Sequence, residues 1–542
     1  MQPKEADESS ARRSTFDAVV IGSGFGGSMV ARSLVDAGLE VLMLERGDWV
    51  ERGPQNWETD GTLDLTPLAS SEPPYRVIAG GNREFVGPHS CVGGPGVFYG
   101  GVSLRLREAD FDADADFTCD SGAAWPYRYP DLERFYTNAE QILDVAGETG
   151  DDPTEPFRSA PYPQPAAELS DTSRMIAAAA RSRGLHPFRL PLAVNYRQTK
   201  DRSPCEACMT CDTFACAISA KNDLATCVLP ELMHRGLQLQ HNTVATRLVH
   251  ENGRIVGVDC VEKSTGSRRR YHAREYFLSA GALGSPHLLL ASELDRLNPA
   301  GDLVGRNLMR HCSAIAFGVF PRRPNKRQQF HKQLGIHDFY FGHPSISEPR
   351  RRLGGLQQLQ TPPVGLIREA LPSPLGRLIS PAIDHVTGLL AMAEDQPEAT
   401  NRVTVDWDHR DPFGLPRLTI SHHYTRRDEA ARAALVKQAK KIMRRAGARF
   451  VYVHKIKTFS HALGTVRFGA DASTSVLDEW CRFRGLENLY VVDSSFMPTS
   501  GGVNPSLSIS ANALRVGEHV SRRMLGTARE SMRPTAGRGR WT

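Results

Sequence analysis

Four stretches of the sequence predict an α/β fold with two units. Residues 16–47, FDAVVIGSGFGGSMVARSLVDAGLEVLMLERG, run strand, glycine turn, helix and strand, the order of a parallel sheet that wraps a nucleotide. Residues 274–292 and 488–516 repeat the step from strand through turn to helix, so one Rossmann-like unit is assembled from separated segments. Between them, 313–459 offers short strand-like runs and one helical stretch at 426–446, which predicts a second unit on a mixed or antiparallel sheet flanked by helices.

The chain of 542 residues is long enough for two or more domains. It is 40% hydrophobic, its mean hydropathy is slightly negative, and no run of 18 or more apolar residues occurs, so no transmembrane segment is expected. The first fifteen residues are polar, and no separate apolar region follows Arg12 and Arg13 to make a secretory signal. A cytoplasmic, thiol-reducing location is therefore expected. The net charge of +5 resides partly in 526–542, read as a disordered tail. No basic stripe interleaved with aromatics argues for nucleic acid.

In the first stretch, Gly22, Gly24 and Gly27 supply G-x-G-x-x-G between strand and helix. Gly22 permits a tight turn, Gly24 lets backbone approach a pyrophosphate, and Gly27 lets helix and strand pack closely. Glu45, closing the second strand, can accept from ribose hydroxyls. Residues 84–111 concentrate glycine (Gly93, Gly94, Gly96, Gly100), and 125–147 reads as a Pro-bounded entry to an amphipathic helix. A helix is expected at 171–184.

Four of the ten cysteines, Cys205, Cys208, Cys211 and Cys216, fall in one short run. Their C-x2-C-x2-C-x4-C spacing is one residue longer than a ferredoxin run, with Ala217 in the proline position. An iron–sulfur cluster, a structural zinc knot and unliganded thiols are all compatible with it. Further on, HDFYFG, GGLQQLQ, NRVTVDW and PRLTISHHY read as strands of one sheet. Residues 364–390, which mix apolar residues with prolines, read as a surface excursion, with a lid or a membrane-touching loop as alternatives.

Near the end, SHALGTVRFG places His461 ahead of Gly464 and Thr465, and NLYVVDSSFMPTSGGVNPSLSIS follows. Asp493 ends a buried strand, and Asn504–Pro505 is a helix-start signature that aims free N–H groups and a positive dipole end forward.

The pairing of H-x-x-G-T with VVDSS…PTSGGVNP resembles the C-terminal signature of the glucose–methanol–choline (GMC) flavin oxidoreductases. The resemblance implies FAD-dependent oxidation of a CH–OH group in a small-molecule alcohol by hydride transfer to the flavin. His461 would act as base and Asn504 would hold the substrate oxygen. It also implies that the ERG run including Arg46, the glycines at 93–100, Val244, Gly281, Asp493 and Pro505 line the FAD site. Phe98 stands where some members carry a histidine that attaches FAD covalently, and Tyr99 where an Asn usually lies beside the ring. Non-covalent FAD follows. Some GMC dehydrogenases carry cysteine clusters, for which an iron–sulfur relay to an electron-acceptor partner would be the role. The implied FAD-binding domain comprises 1–120, 200–312 and 455–525, and the substrate-binding domain 121–199 and 313–454. The same scaffold can host lyase chemistry, light-driven decarboxylation or a non-catalytic flavoprotein.

Overall fold

The computed structural model describes residues 15–57, 75–78, 82–85, 90–112, 114–118, 121–200, 202–330, 332–359, 361 and 380–531. Its first sheet runs in the order Gln238–Gln240, Val41–Leu44, Thr15–Ile21, Arg268–Leu278, Arg254–Glu262, Thr243–Glu251, with Leu489–Val491 also against Arg268–Leu278. The strand Arg268–Leu278 serves two neighbourhoods. Its outer part pairs antiparallel with Arg254–Glu262, while its inner part pairs parallel with Thr15–Ile21 and Leu489–Val491. All four residues of Val41–Leu44 are buried, as expected for a parallel sheet covered on both faces. The helix Phe25–Asp36 buries Met29, Val30, Ala31 and Leu34, and the long helix Ser506–Ser531 packs beside it.

A second sheet of six strands is antiparallel throughout, in the order Phe450–Lys455, Cys312–Val319, Val386–Ala393, Gly354–Leu359, Leu334–Ile336, Pro187–Arg189. Strand periodicity divides its side chains between two faces. Leu334, Ile336, Leu356, Leu389 and Ala391 pack on Ile176, Ala180, Ala431, Leu435 and Ile442 of the helices Asp171–Arg181 and Arg426–Arg445. The other face carries Ile315, Leu390 and, in register with Leu390, Gln357. Both helices start as their sequences direct. Ser170 Oγ accepts from Ser173 N–H, and Thr425 with Asp428 forms a capping box.

Three expectations change. HDFYFG is mostly a turn: the strand Leu334–Ile336 ends before His337, whose buried ring engages Asp152 Oδ2 at 3.0 Å. The strands Arg402–Arg410 and Pro416–Ser421 pair with each other, Pro416–Ser421 pairs with Tyr75–Ile78, and that strand with Asn82–Phe85, forming a separate four-stranded sheet. The final helix continues to Ser531, so 526–531 is helical rather than a disordered tail. The remainder of that tail, and residues 364–379 of the expected excursion, lie outside the described residues. Among the described residues no helix is long and apolar enough to cross a membrane.

Candidate active site

The N-terminal glycine turn is closed by neighbouring backbone. Gly22 has φ +101°, and a Cβ there would meet the Ser279 carbonyl oxygen at 2.2 Å; one on Gly27 would meet the Gly22 carbonyl oxygen at 1.9 Å. Gly26, which the motif skips, is equally constrained, since its Cβ would meet the Val492 carbonyl oxygen at 2.3 Å. Gly24 is the exception: nothing stands within 4 Å of a Cβ placed there. It occupies the cap position of the helix Phe25–Asp36, which has no side-chain cap. An open space thus faces an uncapped helix N-terminus, the setting in which a pyrophosphate is held. Gly281, at the start of the helix Gly281–Ala291, has the same open face.

Glu45 ends the second strand with its carboxylate turned toward the turn. It accepts from Ser23 N–H at 3.0 Å, Ser23 Oγ–H at 2.5 Å and Gly47 N–H at 2.8 Å, while burial raises its pKa. Its backbone carbonyl receives Thr243 N–H at 2.8 Å, which sets the buried Val244 close by. Arg46 lies over the Phe413 ring and near Asp411. The loop of Gly93 and Gly94 docks on the turn: Gly93 N–H donates to Ser23 Oγ at 2.9 Å, and a Cβ on Gly94 would come within 3.0 Å of Gly24 Cα. A Cβ on Gly96 would strike the Phe25 ring, and one on Gly100 the Lys332 ammonium. Tyr99 packs edge-on against Phe25 and donates its hydroxyl proton to the Asn222 carbonyl at 2.8 Å. Asp493 ties the C-terminal strand to this unit. Its carboxylate accepts from Gly281 N–H at 3.1 Å, from the Ser285 hydroxyl, and from Ser495 N–H at 2.9 Å.

The cysteine run folds as an irregular loop beside the glycine loop. Among the described residues no group of three or more His, Cys, Asp or Glu is arranged to hold a metal ion. Positive φ at Ala207 and Thr213 turns the loop sharply. Cys205 Sγ accepts from Ala207 N–H at 3.3 Å, Cys208 Sγ lies 3.7 Å from Thr210 Oγ1, and burial pushes the Cys205 thiol up to about 11. A buried cation, Lys221, holds the loop in place. Its buried ammonium donates to the carbonyls of Tyr99 (2.8 Å), Cys211 (2.9 Å) and Phe214 (2.7 Å), tying the cysteine loop to the glycine loop. Asp212 of the same loop forms a 2.7 Å ion pair with Lys332.

Asn504 and Pro505 precede the helix Ser506–Ser531, and Pro505 O accepts the Ile509 N–H at 2.9 Å. Asn504 Oδ1 accepts from Gln357 Nε2 at 2.7 Å. With its oxygen so occupied, the Asn504 amide presents its N–H groups elsewhere. His461 is not alone: its Nδ1 lies 3.0 Å from Nδ1 of His311, with the rings perpendicular. His311 Nε2 faces the carbonyl oxygens of Gly501 at 2.9 Å and Ser500 at 3.2 Å. A carbonyl can only accept, so Nε2 of His311 carries the proton and its Nδ1 is an acceptor. The proton between the rings therefore belongs to Nδ1 of His461, which leaves Nε2 of His461 with a free lone pair. Burial first, then His311 and Lys332, push the His461 pKa down to about 3; burial pushes His311 to about 4. Both rings are neutral near pH 7.

His311 and Gln357 were not singled out by sequence. His311 closes the run VGRNLMRH, where its left-handed φ of +59° is the local peculiarity, but its partner is 150 residues away. Gln357 has only strand alternation to mark it.

The GMC oxidoreductase profiles match the chain over residues 16–313 and 397–513. The 6'''-hydroxyparomomycin C oxidase of Streptomyces lividus is 31% identical over 539 residues, covering 96% of this chain and 93% of that protein. The paromamine 6'-oxidase of Streptomyces fradiae is 32% identical, covering 93% and 91%. The 2-methyl-1,2-propanediol dehydrogenase of Mycolicibacterium austroafricanum is 27% identical, covering 94% and 95%. Among solved structures, pyridoxine 4-oxidase from Mesorbium loti superposes with a TM-score of 0.64 at 20% identity, covering 94% of this chain and 99% of that one. A formate oxidase gives 0.67 at 16% identity, covering 95% and 100%.

Proposed function

The chain belongs to the GMC oxidoreductases, and from that premise we propose that it binds FAD without a covalent link and oxidises the CH–OH group of a small-molecule alcohol, with His461 as base. The observation that carries this reading is the His461–His311 pair, a neutral base with an assigned lone pair beside the turn that leads into Asn504.

The residues present fit FAD. The open faces of Gly24 and Gly281 form a cradle that any side chain would fill, at two helix starts. Glu45 lies beside the first of these, as a ribose-binding acid would, and Phe98, buried with Cys91, Val97 and Ala215, has no atom that could attach the cofactor. On this reading 1–120, 200–312 and 455–525 build the FAD-binding domain. When bound, FAD supplies the hydride acceptor.

The protein's own part is proton handling and orientation. His461 Nε2 takes the hydroxyl proton, and its Nδ1–H, donated to His311, holds the imidazole in the productive tautomer. Asn504 donates an amide N–H to the alcohol oxygen, because Gln357 holds the other end of its amide. The helix Ser506–Ser531 points its N-terminus toward the same region, where its dipole favours negative charge. The relatives named for paromamine and propanediol oxidation support an alcohol as substrate.

Anaerobic mixing of the FAD-loaded enzyme with candidate alcohols in the dark, followed by flavin absorbance, tests the reading. His461→Ala should slow bleaching by about 10²–10⁴-fold, the usual worth of a general base. Bleaching at the wild-type rate would refute the assignment. Acid precipitation should leave all flavin in the supernatant; yellow colour in the pellet would contradict a non-covalent link.

A further inference from the structure

The turn that leads into Asn504 is gripped from behind by groups that the sequence did not mark as site residues. Gly501 N–H donates to Glu394 Oε1 at 3.1 Å. Gly502 N–H donates to the Tyr340 hydroxyl at 2.7 Å, whose own proton goes to Asp110 Oδ2 at 2.8 Å. Glu394, Tyr340 and Asp110 are all fully buried. Arg352 reaches Glu394 Oε1 at 3.2 Å and Asp114 at 3.1 Å, and Arg427 donates to the Glu394 backbone carbonyl at 2.7 Å. From the front, the carbonyls of Ser500 and Gly501 receive His311 Nε2–H. One turn therefore joins a buried carboxylate cluster to the histidine pair.

We propose that Glu394, with Tyr340 and Asp110 behind it, is a positioning residue for the base: it fixes the Ser500–Gly502 turn, the turn fixes the proton on His311, and His311 fixes the proton on His461. This rests on the reading of His461 given above. No side chain of the cluster needs to reach the substrate for this, because each step is a hydrogen bond between fixed partners.

The groups acting on Glu394 are Asp110 and Tyr340, with Arg352 and Arg427 opposing them; Asp114 binds Arg352, and Asp395 acts on Arg427 and binds the backbone N–H groups of Arg310 and His311. Burial raises the Glu394 pKa to about 7, against Arg352 and with Asp110. Above that pH its bond from Gly501 N–H becomes charge-assisted and the turn is held harder. His461 and His311, depressed to about 3 and 4, do not titrate in that range. A rate step near neutrality is thus not the titration of the histidine pair, and its loss in Glu394→Gln distinguishes Glu394 from Asp428, which burial also raises to about 7.

The test compares FAD-loaded wild type, Glu394→Gln, Glu394→Asp, Tyr340→Phe and His461→Ala in steady-state kinetics and single-turnover flavin reduction from pH 5 to 9, with ¹⁵N-histidine NMR of the tautomers. Wild type should speed up through an ionisation near pH 7. Glu394→Gln should lose that step with KM unchanged, and Glu394→Asp should retain it. Tyr340→Phe should lower kcat by about tenfold, one hydrogen bond's worth of positioning, at unchanged KM. Should Glu394→Gln fail to fold, Tyr340→Phe and the NMR decide. A wild-type profile and wild-type His461 tautomer in Glu394→Gln, or in Tyr340→Phe if that alone folds, overturn the proposal even where His461→Ala is inactive. Unimpaired reduction by His461→Ala removes the base and the proposal together.

Discussion

His311 decides what His461 can do, because two neutral imidazoles sharing one proton must agree on which nitrogen holds it. His311→Phe keeps a ring but no acceptor for Nδ1–H of His461. It should lower kcat by about 10²–10⁴-fold, the scale of a wrong tautomer, with little change in KM, measured by steady-state kinetics. His461 and Asn504 were legible because each sits in a contiguous motif whose glycines and proline mark a turn. His311 and Gln357 act through contacts across 150 and 147 residues, and only the folded chain makes those contacts. The cysteine run left three readings open for a related reason. Spacing specifies which residues can approach, but the backbone reversals at Ala207 and Thr213 and the anchoring of the loop by Lys221 determine where the thiols go.

At the scale of elements, the glycine turn separates folding from binding. Gly22→Ala and Gly27→Ala drive a methyl group into backbone carbonyls and should cost solubility or several degrees of thermal stability. Gly24 has φ −68°, which alanine accepts, and open space around it. Gly24→Ala should therefore leave the apoprotein's melting temperature unchanged while weakening FAD binding by tenfold or more, on the order of 1.4 kcal/mol, in a fluorescence titration. The helix Arg426–Arg445 makes a different prediction. Its capping Asp428 has its pKa raised to about 7, by burial first and Asp395 second. A carboxyl raised on folding adds stability that is complete below its unfolded pKa and is lost as pH rises through about 7. Melting temperature should fall between pH 5 and 8, and less so in Asp428→Asn, which can still cap. Strand existence was readable from alternation, but partnership was not: Arg402–Arg410 has the same period as the six-stranded sheet and joins another.

Across the whole molecule, the parallel sheet is completed last. Leu489–Val491 pairs with Arg268–Leu278, and the helix Ser506–Ser531 then covers Phe25–Asp36, so the ends of the chain interlock. A chain stopped after Glu487 should give no cooperative thermal transition by circular dichroism, since the sheet would lack a buried strand and its covering helix. The nucleotide-binding unit was legible at this scale because each return to the sheet repeats a strand–turn–helix signature. The region at 313–459 was less so, since alternating strands carry no address. Lys221 closes the interior where the glycine loop and the cysteine loop meet, fully shielded and held by three carbonyls. Amine-reactive labelling followed by mass spectrometry should consequently skip it while marking surface lysines, and the moment it becomes modified during mild denaturation would clock the parting of the two loops it joins.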